Sequence, residues 1–126
     1  NDTTTVAAAF KSSKIVPDVV PSFDPLYPLL VTFKQADGSS IQVTAGIQLT
    51  IARESQCPTY FIRSPVLITV DPDAPTPQDP SVAQVRHFLA PDFVSDGTGP
   101  LTNRTPALSP YIGPQPPAGS HAHRFV

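Results

Sequence analysis

At 126 residues, with 40% hydrophobic and 14% charged side chains, the chain is long enough for one buried core and too apolar to stay disordered. A net charge of −2, with eight scattered basic residues, provides no electrostatic footprint for nucleic acid. Apolar runs such as Val66–Val70 fall far short of the roughly 18 residues of a membrane-spanning helix, so lipid is expected only as a bound molecule or a surface.

The first predicted element is a helix over Thr3–Ser13. Thr3, Thr4 and Thr5 offer N-caps, Ala7, Ala8 and Ala9 favour helix, and Val6, Ala9 and Phe10 form a narrow apolar face. Pro17 and Pro21 then break the chain into an extended arm. Leu29–Phe33 reads as a strand, followed by the turn signal Asp37-Gly38. Along Ser40–Arg53, Ile41, Val43, Ala45, Ile47, Leu49 and Ile51 share one parity. That pattern predicts a long half-buried strand, or a tight pair bent near Gly46. Tyr60–Ile62 and Val66–Val70 read as further strands, the second apolar enough to be expected at the centre of a sheet. Val85–Leu89 and His121–Val126 complete the set, and Ala90–Pro110, rich in Gly, Pro, Ser and Thr, reads as a loop. The 17 prolines punctuate these runs as turns. Short strands, proline turns and one peripheral helix together specify an all-β sandwich, a single domain over residues 1–126.

Small signs bear on compartment. The chain begins at Asn1 without methionine, which fits removal of a signal peptide and equally a trimmed or incomplete sequence. Both asparagines, Asn1 and Asn103, head N-x-Thr sequons, so a secreted glycoprotein is expected, with a cytoplasmic location as the alternative. Cys57 is alone; its partner lies outside the sequence, or it is a buried thiol.

Asp71 and Asp73 sit two apart on an extended segment, so their side chains are expected on one face. Carboxylates that close either raise one pKa or demand a cationic partner. The plainer reading is a strand-ending turn with Asx hydrogen bonds. His87, flanked by Phe88 and Leu89, is either a satisfied core imidazole or a ligand-binder. His121 and His123 share parity on the terminal strand and, with the aspartates, invite a metal reading. No third ligand stands near them in sequence, and the aspartates are about fifty residues away, which is not a metal-site spacing. Nucleophilic catalysis finds no G-x-S-x-G elbow, Cys57 has no local signature, and Ser120 beside His121 is only an adjacency. No enzyme and no cofactor are therefore expected. The residues suit recognition of an anionic or zwitterionic head group. Imidazoles donate to phosphate oxygens, turn amides near Gly113 and Gly119 add donors, and carboxylates orient histidines or receive an ammonium. Proline-fixed turns lower the ordering cost of such a pocket.

Two strings carry a family resemblance. One is Asp71-Pro72-Asp73-Ala74-Pro75, running on to Arg86-His87-Phe88. The other runs from Tyr111-Ile112-Gly113-Pro114 through Pro116-Pro117-Ala118-Gly119-Ser120 to His121-Ala122-His123-Arg124-Phe125. They resemble the signature motifs of the phosphatidylethanolamine-binding protein family, which includes Raf kinase inhibitor protein and the plant flowering-locus-T proteins. The match runs from about Leu67 to the end and is weaker before it. It implies a Greek-key β-sandwich with peripheral helices. It also implies a pocket for phosphate-type anions and phospholipid head groups at Asp71, Asp73, His87, Pro117 and His123, with Tyr111 and Gly113 at its rim. Members act mostly by binding, as inhibitors of kinases or serine proteases or as scaffolds. Val85 stands where many relatives carry an aromatic residue, and Phe125 where tyrosine is usual. Relatives also continue for several tens of residues, so the chain is expected to be incomplete at its C-terminus, with a C-terminal fragment as a possible partner. Ala83–Leu89, together with the expected secretion, is most similar to secreted fungal members. Two rivals stand beside head-group binding: a protease or kinase inhibitor using the Ala90–Pro110 loop, and a metal-dependent hydrolase using His87, His121, His123 and the aspartates.

Overall fold

The computed structural model describes residues 2–54, 56–61, 66–94 and 99–126, beginning with helix α1 at Thr3–Ser12. Its N-cap is Asp2, not one of the threonines: the Asp2 carboxylate accepts the Thr5 amide at 2.7 Å, satisfying one orphan donor of the first turn. That hydrogen bond also holds the Asp2 carboxyl below its usual range. Phe10 leaves the apolar face and stacks on Phe23 with ring centroids 3.9 Å apart, so the extended arm folds back along the helix. A single further turn, α2 at Ile15–Asp18, buries Ile15. Lys14, between the two, is left-handed with φ of 58°.

Strand β1, Leu30–Lys34, is the middle of a three-stranded antiparallel sheet, with β2 (Ser40–Gln42) on one side and β3 (Thr59–Phe61) on the other. The β1–β2 turn follows the Asp37-Gly38 signal: the Asp37 carboxylate accepts the Ser39 amide at 2.9 Å, and Gly38 takes φ of 85°, a conformation that favours glycine. The long strand expected over Ser40–Arg53 does not form. Pairing with β1 ends with the Val43 amide on the Val31 carbonyl at 2.8 Å. Gly46 then turns the chain with φ of 85°, and Ile51–Glu54 is a 3-10 turn. Alternating apolar residues continue as a strand only where a neighbour offers hydrogen bonds, and β1 begins at Leu30, where that neighbour runs out. β3 starts one residue earlier than the expected Tyr60–Ile62, and Ile62 lies outside the described residues.

The second sheet pairs β4 (Val66–Asp71) with β5 (Val85–Pro91), antiparallel. Phe88 and Ala90 of β5 are buried together with Leu101, and Val31 of the first sheet packs against them with Leu29, which just precedes β1. The core thus lies between two facing sheets, the arrangement of a β-sandwich. Two strand expectations need correction. β4 is not buried on both faces, since Val66 and Ile68 are 51% and 53% exposed. The terminal His121–Val126 is not a regular strand; its backbone pairs with β4 through Val126, which exchanges hydrogen bonds with Val70 at 2.8 and 2.9 Å. The expected loop Ala90–Pro110 holds a small hairpin, β6 (Phe93–Val94) against β7 (Thr102–Asn103). Its anchors are apolar: Leu101 is buried, and Phe93 meets the Phe88 ring edge-on at 6.2 Å. Cys57 is free and exposed, against the buried-thiol alternative. Among the described residues no helix is long and apolar enough to cross a membrane.

Candidate functional site

A β-bulge aims His87. Pairing passes from Thr69↔Phe88 to Val70↔Arg86, so His87 is the extra residue on β5. Alternation breaks there, and His87 and Phe88 are both buried. The stretch after β7 then clamps the bulge. Leu89 and Ser109 exchange backbone hydrogen bonds, and the Ile112 amide donates to the His87 carbonyl at 2.9 Å. The Ile112 carbonyl lies 2.7 Å from His87 Nδ1. A carbonyl only accepts, so Nδ1 carries the proton and Nε2 faces Asp71. Nε2 is 3.9 Å from Asp71 Oδ2, too long for a hydrogen bond, and it has no hydrogen-bond partner among the described residues. Phe125 covers the imidazole with ring centroids 4.5 Å apart.

Asp71 and Asp73 divide their tasks. β4 ends at Asp71, whose Oδ1 accepts the Asp73 amide at 2.8 Å, so the Asx turn of the plainer reading is present. Its other oxygen, Oδ2, lies 2.6 Å from His123 Nδ1. Asp73 turns instead to Arg124. It receives the Arg124 backbone amide at 2.7 Å, Nε at 2.9 Å and Nη2 at 2.6 Å. Burial pushes the Asp73 carboxyl upward, but the Arg124 hydrogen bonds and charge outweigh it and hold the group below its ordinary value. The same bonds raise the Arg124 guanidinium still further. Arg124 Nη1 reaches on to Asp18 Oδ2 at 2.7 Å and to the Ser13 and Lys14 carbonyls at 3.3 and 3.1 Å. Those carbonyls close α1, where a cation is favoured. Arg124 therefore ties the N-terminal helices to the aspartate turn and leaves its neighbour His123 on Asp71.

The proline-rich segment supplies the approach to His123. The Ser120 amide donates to the Pro117 carbonyl at 3.1 Å, closing a turn in which Gly119 takes φ of 83°. That value at the third turn position is the one a type II turn needs, and it favours glycine. Ser120 Oγ then sits 2.9 Å from His123 Nε2.

Of the sequence-derived site residues, Asp71, His87 and His123 converge in one buried cluster. Asp73 adjoins it but faces Arg124, not an imidazole as expected from a histidine-orienting carboxylate. Gly113 is half-buried beside the Ile112 clamp, and Pro117 is exposed, contributing its carbonyl to the turn. Tyr111 packs edge-on against Phe88 at 6.3 Å and donates its hydroxyl to the Glu54 carbonyl at 2.7 Å, which ties it to the core side of β5. Burial, with the nearby Glu54, pushes its phenol pKa upward. His121 is exposed and does not join the cluster, because the segment lacks the strand regularity that shared parity with His123 presumes. Among the described residues no group of three or more His, Cys, Asp or Glu is arranged to hold a metal ion. Asn103 is exposed on β7, while Asn1 lies outside the described residues. Sequence reasoning missed Arg124 as the partner of Asp73 and Ser120 as the partner of His123. A buried second carboxylate demands a cation, and the H-R pair was the nearest sequence signal for one.

A bulge-borne histidine, a proline-framed aspartate turn and a terminal His-Arg pair on a two-sheet scaffold define a phosphatidylethanolamine-binding-type domain. The family model for phosphatidylethanolamine-binding protein matches residues 28–126, and the chain belongs to that family. It is similar to Protein FLOWERING LOCUS T of Arabidopsis thaliana, with 28% identity over 90% of this chain and 64% of that protein. It also matches Protein MOTHER of FT and TFL1 homolog 2 of Oryza sativa subsp. japonica, with 35% identity over 48% of this chain and 33% of the relative. The chain thus spans less than two thirds of the length of these curated relatives. Among solved structures the fold resembles a carboxypeptidase Y inhibitor complexed with its cognate proteinase, with a TM-score of 0.80 and 22% identity over 98% of this chain and 69% of that one. The phosphatidylethanolamine-binding protein from Plasmodium vivax gives a TM-score of 0.72 and 23% identity over 95% of this chain and 66% of that one.

Proposed function

We infer that the chain is a recognition module for a phosphate-bearing, zwitterionic head group, held at Asp71, His87 and His123. The observation that carries this reading is His87 Nε2, buried and without a hydrogen-bond partner among the described residues, 3.9 Å from Asp71 Oδ2. A buried polar nitrogen in that state calls for an incoming group. A phosphate group meets it there, sharing a proton with Nε2. The ammonium end of the head group is drawn to the Asp71 carboxylate. Asp73 serves indirectly: by holding Arg124 it fixes the backbone that presents His123. Gly113 and Pro117 shape the approach, and Tyr111 supports β5 from its far side. Calorimetry with O-phosphoethanolamine tests the reading on wild type and on Asp71→Ala and His123→Ala. Binding that is lost in both folded variants supports it; equal binding by all three proteins removes it.

A second reading rests on the fold neighbour named as a carboxypeptidase Y inhibitor. Leu108 and Ile112 are 70% and 55% exposed, on the segment that flanks the site. That segment presents an apolar contact for a protease, with kinases as a further target class. Inhibition of a serine carboxypeptidase that survives Asp71→Ala but is lost with Leu108→Asp favours this protein contact over the head-group site. A secretory route is proposed on the exposure of Asn103, and mass spectrometry before and after deglycosylation of secreted protein tests it.

A further inference from the structure

Ser120, outside the head-group contacts above, completes a relay with His123 and Asp71. Its Oγ lies 2.9 Å from His123 Nε2, while His123 Nδ1 lies 2.6 Å from Asp71 Oδ2. An ionised carboxylate only accepts, so Asp71 keeps a proton on Nδ1. The Ser120 hydroxyl has one proton and two acceptors, the His121 carbonyl and His123 Nε2, each 2.9 Å from Oγ; the relay forms when that proton turns from the carbonyl to the Nε2 lone pair. Both His123 contacts have hydrogen-bonding length and engage opposite nitrogens of one ring, the arrangement in which a serine becomes a nucleophile. Asp71 and the His123 side chain are only 5% and 9% exposed, which keeps solvent from competing for the relay. The approach side is open: Ser120 is half-buried, and Gly119 and His121 beside it are exposed.

We propose that Ser120 is an activated nucleophile that accepts the acyl group of a carboxylic ester. Oγ forms a bond to the ester carbonyl carbon as its proton passes to His123 Nε2. The carbon–oxygen bond to the leaving alcohol breaks, and that alcohol takes the proton from Nε2. Water then attacks the acyl-Ser120 carbonyl, giving its proton to Nε2. The bond to Oγ breaks, the proton returns to Oγ, and the carboxylic acid departs. Ester and water are the only co-reactants. His123 is the base, and Asp71 acts through it as a positioning residue. Head-group recognition does not require Ser120 to react, so either property can fail without the other.

The test uses p-nitrophenyl acetate with the full chain, following nitrophenolate release and locating the acetyl group by intact mass and peptide mapping. The expected result is a single acetyl on Ser120, formed about a hundredfold faster than any acetylation of Ser120→Ala, the scale of general-base assistance. Acetylation confined to lysine, His121 or the N-terminus, or equal rates in wild type and variant, overturns the proposal. A second measurement needs no variant: wild type treated with a fluorophosphonate must carry the label on the peptide containing Ser120. A label elsewhere, or none, also overturns it.

Discussion

Asp71 and Asp73 leave the same turn, each 4% exposed, yet Asp73 is closed on Arg124 while Asp71 divides its oxygens between the turn and His123. Around Asp73 every strong acceptor is met by a fixed donor from the backbone or guanidinium of Arg124, and that guanidinium also grips the end of α1. Around Asp71 the partners are imidazoles: His123 Nδ1 lies 2.6 Å from Oδ2, and His87 Nε2 stands 3.9 Å from the same oxygen without a hydrogen bond. Two like residues two positions apart thus become a structural lock and the open side of the proposed head-group site. The nature of the partner facing each carboxylate makes the difference, not burial.

That contrast breaks most visibly at Arg124. Arg124→Ala leaves the Asp73 carboxylate buried without its cation, and a stability loss of about 3 kcal/mol is expected in urea denaturation. Arg124→Lys recovers only part of it, because a point charge cannot reproduce the forked contact. Asp73→Asn is next, at about 2 kcal/mol, since charge-assisted bonds become neutral ones. It also carries a pH signature. The folded Asp73 carboxyl lies below its ordinary value because the Arg124 contacts outweigh burial. Its contribution is therefore full above the unfolded carboxyl pKa of about 3.9 and is lost as pH falls through the folded value. Urea midpoints measured downward from about pH 6 converge for wild type and Asp73→Asn only below about pH 4; a gap that is independent of pH contradicts the lock. Asp71→Asn sharpens the other side of the comparison. It costs about 1 kcal/mol of stability but at least a tenfold loss of O-phosphoethanolamine affinity, about 1.4 kcal/mol in binding. The smallest effect belongs to Asn103→Gln, which keeps the unfolding free energy within the range of about 0.5 kcal/mol expected of surface changes in urea denaturation and removes the proposed glycan.

Much of the fold was legible because its signals are local. The alanine-rich helix, the Asp37-Gly38 turn and the strands at Leu30–Lys34 and Val85–Pro91 follow from propensity, turn chemistry and apolar patterning. The failures fall where a distant partner decides. Ser40–Arg53 has the right alternation, but β1 is too short to pair with its second half. Phe93 and Leu101 convert part of a polar loop into a hairpin because the core beside Phe88 receives them. At the site, the two signature strings brought Asp71, His87 and His123 to notice, and the structure brings them together. The bulge that aims His87 has no signature in one strand alone, since it is a mismatch between two. The Asp73–Arg124 pairing spans 51 residues, and spacing along the chain does not encode it. Ser120 was read against its neighbour His121, whereas the Gly119 turn delivers it to His123.

The central claim is that His87 and His123 flank one head-group site while Arg124 holds the scaffold apart from it. The most direct measurement is histidine ring nuclear magnetic resonance during titration with O-phosphoethanolamine. The account predicts saturable shifts of the His87 and His123 ring signals with a single affinity, and a stationary His121. Shifts confined to His121, or no saturable change at His87 and His123 at millimolar ligand, would contradict it.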